Sequence, residues 1–244
     1  MTEISKSTGS SITRPRVIVA AAQQHVLDLY NSKSGSKLLF HNYQRASELA
    51  KIVDTIGTES KYSSEVIEVA QLAAWFHGTG CLDDYNNFEN RSVARARAFL
   101  NARSYSDSKL NRVLAAINSS KPEANPRGTE EQVLSDAVTA YDMAEDFLSQ
   151  SPLMRLEREL VLDKKLTPIE WDQIQLKNLL DAKFYTPYAK VYFEPTLAQN
   201  ILTQKNIVEK GRAKALQRRE DDDCLLYTSP SPRDATLSRM PSSA

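Results

Sequence analysis

Cysteine is nearly absent: Cys81 and Cys224 are the only two among 244 residues. That excludes a disulfide framework and a thiolate zinc site. Cys81 reads as a packed thiol rather than a nucleophile, because nothing beside it in the sequence would depress its pKa. An excess of one charge is also missing, since Lys plus Arg and Asp plus Glu both number 31. The chain therefore carries no overall electrostatic footprint for nucleic acid or an anionic membrane, and any phosphate binding must come from a local cluster. Long apolar runs are lacking too. No window approaches the roughly 18 apolar residues that a spanning helix needs, and Met1 to Ser11 has no signal-peptide core. A cytoplasmic protein without a membrane partner is expected.

Glycine is scarce, 7 in all, and apolar residues recur at spacings of three and four, which predicts an all-α chain. The pattern marks helices at about Arg14 to Asn31, Leu38 to Ile56 (closing at Gly57), Ser63 to His77 and Phe88 to Ala102. Others follow at about Asp107 to Asn118, Glu130 to Leu148, Leu153 to Asp163, Pro168 to Ala182 and Tyr188 to Lys214. Pro122, Pro126, Gly128 and Pro152 mark breaks. The Ser63 to His77 segment is apolar almost all round and belongs at the centre of the fold. No internal repeat or interdomain linker interrupts residues 14–219, which read as one helical bundle domain. Residues 1–13 read as a disordered N-terminus and 220–244 as a disordered tail. From Cys224 the tail resembles translated sequencing-adapter read-through, and the biological sequence is expected to stop near Asp223.

Only three histidines exist, His25, His41 and His77, and the last two fall at helix ends beside apolar stretches. Neutral imidazole is the commonest metal ligand, and helix termini can aim such groups into a shared cleft. Asp136 lies in Val133-Leu134-Ser135-Asp136-Ala137-Val138. A carboxylate among apolar neighbours must be paired, metal-bound or shifted in pKa. On the residues alone, His41 and His77 read first as caps or surface groups, with metal ligation the alternative.

Three segments carry a family resemblance. Phe40-His41-Asn42-Tyr43-Gln44-Arg45-Ala46 resembles the first motif of the HD-domain superfamily of metal-dependent phosphohydrolases. Ala73-Ala74-Trp75-Phe76-His77-Gly78-Thr79-Gly80 resembles the second, and Ser135-Asp136-Ala137 the last, at intervals of 36 and 59 residues. The likeness runs from about Phe40 to Asn206. It is similar in particular to small HD proteins with an acidic-residue and serine segment, as in Glu89-Asn90-Arg91-Ser92, and late Glu170-Trp171 and Phe184-Tyr185-Thr186-Pro187 elements. Some of these are joined to membrane helices in effectors of cyclic-pyrimidine antiphage signalling. The resemblance implies His41, His77 and Asp136 as metal ligands, with His77 and Asp136 also in the catalytic set. It further implies a divalent ion (Mn, Fe, Mg or Zn) and a nucleotide or similar phosphoester substrate.

Departures from the pattern are concentrated at the presumed cleft. Gly78 stands where the family has its defining aspartate, Phe88 near a frequent further histidine, and Val138 where similar proteins have a second acidic residue. The late histidine expected near Ala182 or Lys183 is missing. His41, His77 and Asp136 would then hold one ion or none, and weak or absent hydrolysis is expected. The alternatives are Asp83 or Asp84 filling in for Gly78, and a one-base read error at codon 78. Arg45, Arg91 and Arg95 are the best candidates for binding phosphate, because guanidinium binds it bidentately. Taken singly, each reads first as a surface arginine paired with Glu89 or Asp83. Trp171, Phe184, Tyr185, Tyr188, Tyr192 and Phe193 read as packing aromatics rather than base-stacking ones. Two functions stand: a degenerate HD-type phosphohydrolase, or a noncatalytic nucleotide-binding sensor or effector module.

Overall fold

The structure, a computed structural model, describes residues 14–33, 37–121 and 124–228. The expected N-terminal region 1–13 and residues 229–244 lie outside the described residues. Among those described, helices are joined by short turns and there is no strand. The helices are α1 (Arg14–Ser32), α2 (Tyr43–Glu59), α3 (Ser64–His77), α4 (Phe88–Asn101), α5 (Asp107–Ser119), α6 (Thr129–Thr139), α7 (Phe147–Leu162), α8 (Pro168–Asp181) and α9 (Pro187–Thr228). They pack as one all-α bundle.

The central position of α3 follows from its composition. Ser63 caps it, accepting from the Val66 amide at 3.3 Å, and Val69, Ala70, Leu72, Ala73, Ala74 and Phe76 are fully buried. Helices α1, α2, α4, α5 and α6 all pack against it. Its C-terminus is pinned from outside: Ser92 of α4 donates to the His77 carbonyl at 2.7 Å and accepts from the Gly80 amide at 2.9 Å. A 3₁₀ turn, Thr79–Leu82, follows directly. Gly80 is sterically required there, since a Cβ would lie 1.9 Å from the Phe88 carbonyl oxygen.

Several sequence expectations are corrected. Helix α2 begins at Tyr43, not Leu38, because Asn42 caps it by accepting from the Arg45 amide at 3.0 Å; His41 stands in the turn before it. Gly57 does not end α2. It lies inside, where a Cβ would press to 2.6 Å from Ile67 Cγ1. The expected helix from Glu130 to Leu148 is two elements: α6 passes into a π-turn, Ala140–Ala144, and the chain turns at Asp146, whose φ is 50°. Pro152 is no break; it sits within α7. Helix α9 continues past Lys214 to Thr228, taking in residues 220–228 that were expected to form no element. No helix among the described residues is long and apolar enough to cross a membrane.

Candidate functional site

The C-terminus of α3 faces the turn before α2 and the middle of α7, and the three meet in a polar cluster. Glu157 of α7 is fully buried, and its two oxygens serve different donors. Oε2 accepts from the amides of Phe40 and His41 at 2.7 and 2.8 Å, while Oε1 lies 2.5 Å from His41 Nδ1. Burial alone would raise the Glu157 pKa, but the His41 ring and the two amides prevail and hold it below the ordinary carboxylate value. In its neutral form, a ring with a carboxylate on Nδ1 is fixed in the tautomer that leaves Nε2 with its lone pair.

Arg45, one turn into α2, is 2% exposed, and Asp142 in the π-turn supplies its counter-charge. Nη2 donates to both Asp142 oxygens, at 3.0 and 2.9 Å, and Nε donates to Oδ1 at 3.2 Å. Burial opposes the charge, yet Asp142 overrides it and the Arg45 pKa is raised. The guanidinium also lies 5.1 Å from the Phe40 ring centre and 5.6 Å from that of Tyr141. Its Nη1 is 3.4 Å from His77 Nδ1. Arginine has no acceptor, so His77 Nδ1 must accept and the imidazole is neutral. Burial, then the Arg45 charge, then His41 hold the His77 pKa well below its usual value.

Phe88 fills the space beside both imidazoles, its ring centre 5.7 Å from that of His41 and 5.8 Å from that of His77. Gly78 adjoins the same cluster. Its φ of −95° suits any residue, so the backbone there does not require glycine. A Cβ would meet Arg45 Nη1 at 3.6 Å, His41 Cδ2 at 3.7 Å and the Tyr30 hydroxyl at 3.7 Å, all ordinary contacts. A side chain at 78 would thus point first at a guanidinium.

Asp136 is engaged elsewhere. Its carboxylate, fully buried on α6, accepts from the amides of Tyr185 and Thr186 at 2.7 and 2.8 Å, tying α6 to the start of α9. Burial pushes its pKa up to about 6, against the pull of the Thr186 hydroxyl and of those amides. Among the described residues, no three His, Cys, Asp or Glu side chains gather so as to share a metal ion. A metal-ion fit is also opposed by charge: the cation already beside His77 is Arg45, and Asp136 has given both oxygens to backbone amides.

The phosphate candidates do not converge as free cations. Arg45 is committed to Asp142, Arg91 is exposed on α4, and Arg95 pairs with Asp83 at 2.6 Å. Asp83 is therefore engaged away from Gly78. Asp84 accepts from the Asn86 and Asn87 amides and shapes the turn before α4. Cys81 is buried and its thiol pKa is raised, first by burial and then by Glu157, which fits a packed thiol. Trp171, Phe184 and Phe193 are buried; Tyr185 and Tyr188 are partly so, and Tyr192 is exposed. Sequence reasoning missed Glu157 and Asp142. Asp142 had the signal of an acidic residue six places beyond Asp136, whereas Glu157 was masked by the charged neighbours Arg155, Arg158 and Glu159.

No protein-family model matches the chain, and neither does any curated protein. Two crystal structures of structural-genomics targets share its architecture. One, from Lactobacillus plantarum, is 16% identical with a TM-score of 0.61, covering 85% of this chain and all of that one. The other, the Lin1889 protein of Listeria innocua, is 12% identical with a TM-score of 0.55, covering 81% of this chain and 95% of that one. At these identities the likeness establishes the fold alone: the chain is an all-α helical bundle of the architecture found in these two bacterial proteins.

Proposed function

We propose that this chain is an HD-type phosphohydrolase-like domain whose metal-dependent hydrolysis is lost or much weakened, and that an internal cation, the Arg45 guanidinium, has taken over the electrostatic work of a metal. The observation that carries the reading is the contact of Arg45 Nη1 with His77 Nδ1 at 3.4 Å while Nη2 is held by Asp142. A divalent ion beside His77 would face a fixed positive charge in a buried setting, where charges are screened least. The first-motif histidine, the second-motif histidine and the direction of residue 78 all surround that guanidinium. The cluster's remaining use would be binding a small phosphorylated ligand such as a nucleotide, without turning it over.

A second reading rests on the Glu157–His41 pair. Carboxylate-oriented histidines with a free Nε2 are the usual form of a metal-ligating imidazole. On that basis His41 would bind one divalent ion weakly, with activity to match.

The test is Mn²⁺-dependent phosphoesterase activity, with metal content, for the wild type, Gly78→Asp and Gly78→Asp/Arg45→Ala. The wild type is expected to be inactive and metal-free. Gly78→Asp alone should stay inactive, because its carboxylate would pair with Arg45. The double variant should gain metal uptake. Efficient hydrolysis by the wild type would end the proposal, whereas stoichiometric but inactive metal binding would favour the second reading.

A further inference from the structure

Helix α7 turns its leucines outward. Leu148, Leu153, Leu156 and Leu160 are 55, 41, 45 and 40% exposed, while on the same helix Glu157 is buried. Together with the exposed Ser149 and Pro152 they form a strip about 18 Å long that no charged side chain interrupts. The strip is close to palindromic: 148 and 160, and 152 or 153 and 156, lie nearly symmetrically about residue 154. A two-fold interface needs such a patch, since each position must meet its counterpart in reverse order.

Charge at the two ends selects the direction. Glu145 and Asp146 stand exposed just before α7, and Lys164 and Lys165 stand exposed about equally far beyond its end. None of the four forms an ion pair with another described residue. The two acids, with Glu48, Gln44, Ile52, Tyr141 and Gln150, line a groove of about 300 Å³. The Glu145 carboxyl is pushed above its usual pKa by burial, then by Asp146 and Glu48, so a cation entering the groove would relieve it.

We infer that α7 is the interface for a second copy of this chain, docked antiparallel about a two-fold axis near residue 154, with the lysine end of each helix on the acidic groove of the other. A parallel pairing would set acid on acid and lysine on lysine. Because Glu157 reaches His41 from the same helix, the dimer would also steady the polar cluster.

Sedimentation velocity across a concentration series tests this. The strip alone falls short of the roughly 800 Å² per partner of a standard interface, so a dissociation constant on the order of 10 µM is expected, with the mass approaching twice that of the 27.4 kDa chain above it. Leu156→Glu should weaken association at least about a hundredfold. Lys164→Glu/Lys165→Glu should weaken it about tenfold, and adding Glu145→Lys/Asp146→Lys should restore it. All four side chains are exposed, and because Asp146 has a φ of 50°, circular dichroism and thermal unfolding of each variant are compared with the wild type to separate a folding defect from lost association. A wild type that stays monomeric about tenfold above that constant, or a failure of the four-residue swap to restore association, would overturn the inference.

Discussion

Two buried carboxylates, Glu157 and Asp136, differ in what they hold. Glu157 spends one oxygen on a histidine and the other on the turn that carries it, so its role is to orient a side chain. Asp136 spends both on backbone amides of the chain entering α9, so its role is to fasten two elements. The difference separates a region whose chemistry can change from one whose geometry is fixed. Beside Glu157 and His41, the Arg45, Asp142 and His77 side chains form a network of contacts, with Gly78 next to it. Around Asp136 the groups that answer are the Tyr185 and Thr186 amides and the Thr186 hydroxyl.

The largest expected effect that would sharpen this contrast comes from Arg45→Met. It leaves Asp142 and His77 without the partner they share in the interior, and removing one member of a buried pair costs about 3–5 kcal/mol. Urea unfolding should register that loss. Asp136→Asn comes next. It turns one acceptor into a donor facing an amide, and about 2–3 kcal/mol should be lost, since the bonds are to a charged group. If Asp136→Asn proved neutral in stability but altered metal affinity, the fastening role would be wrong.

Protonation provides a smaller and signed effect. The His77 pKa is depressed by burial and by Arg45, so below its usual 6.5 the unfolded chain takes up a proton that the folded chain refuses. Stability attributable to His77 is full above pH 6.5 and falls as pH drops. Asp136 acts oppositely: its pKa of about 6 exceeds the usual 3.8, so its ionisation costs stability that returns as pH falls from 6 toward 4. Comparing wild type with His77→Gln and with Asp136→Asn over pH 4–7 should resolve two slopes of opposite sign. The smallest effect is expected at Gly78. Gly78→Ala should be neutral or stabilise by about 0.4–1 kcal/mol, because φ and space both permit it. Gly80→Ala, which forces a backbone clash, should be far worse.

Much of the fold was legible because α3 is apolar on every side and its neighbours keep regular three- and four-residue spacing. The start of α2 was misjudged because Leu38 and Phe40 are buried without being helical. The break after α6 was invisible because a π-turn keeps helical periodicity through Tyr141-Asp142-Met143. Periodicity is least informative at α7, where Leu153, Leu156 and Leu160 keep helical spacing yet stand exposed, and Glu157 is the inward residue. Of the candidate site, His41 and His77 are near one another, as their shared contact with Phe88 demonstrates. What the sequence could not convey was the partner of each: Asp142 for Arg45, Glu157 for His41 and two amides for Asp136. Those pairings depend on tertiary geometry across 97, 116 and about 50 residues of chain.

The claim that Arg45 replaces a metal is tested most directly by NMR of the ¹⁵N-labelled imidazoles during Mn²⁺ addition. His77 should stay neutral with Nδ1 unprotonated, and neither His41 nor His77 should be broadened by stoichiometric Mn²⁺. Broadening of both rings at stoichiometric metal would contradict it.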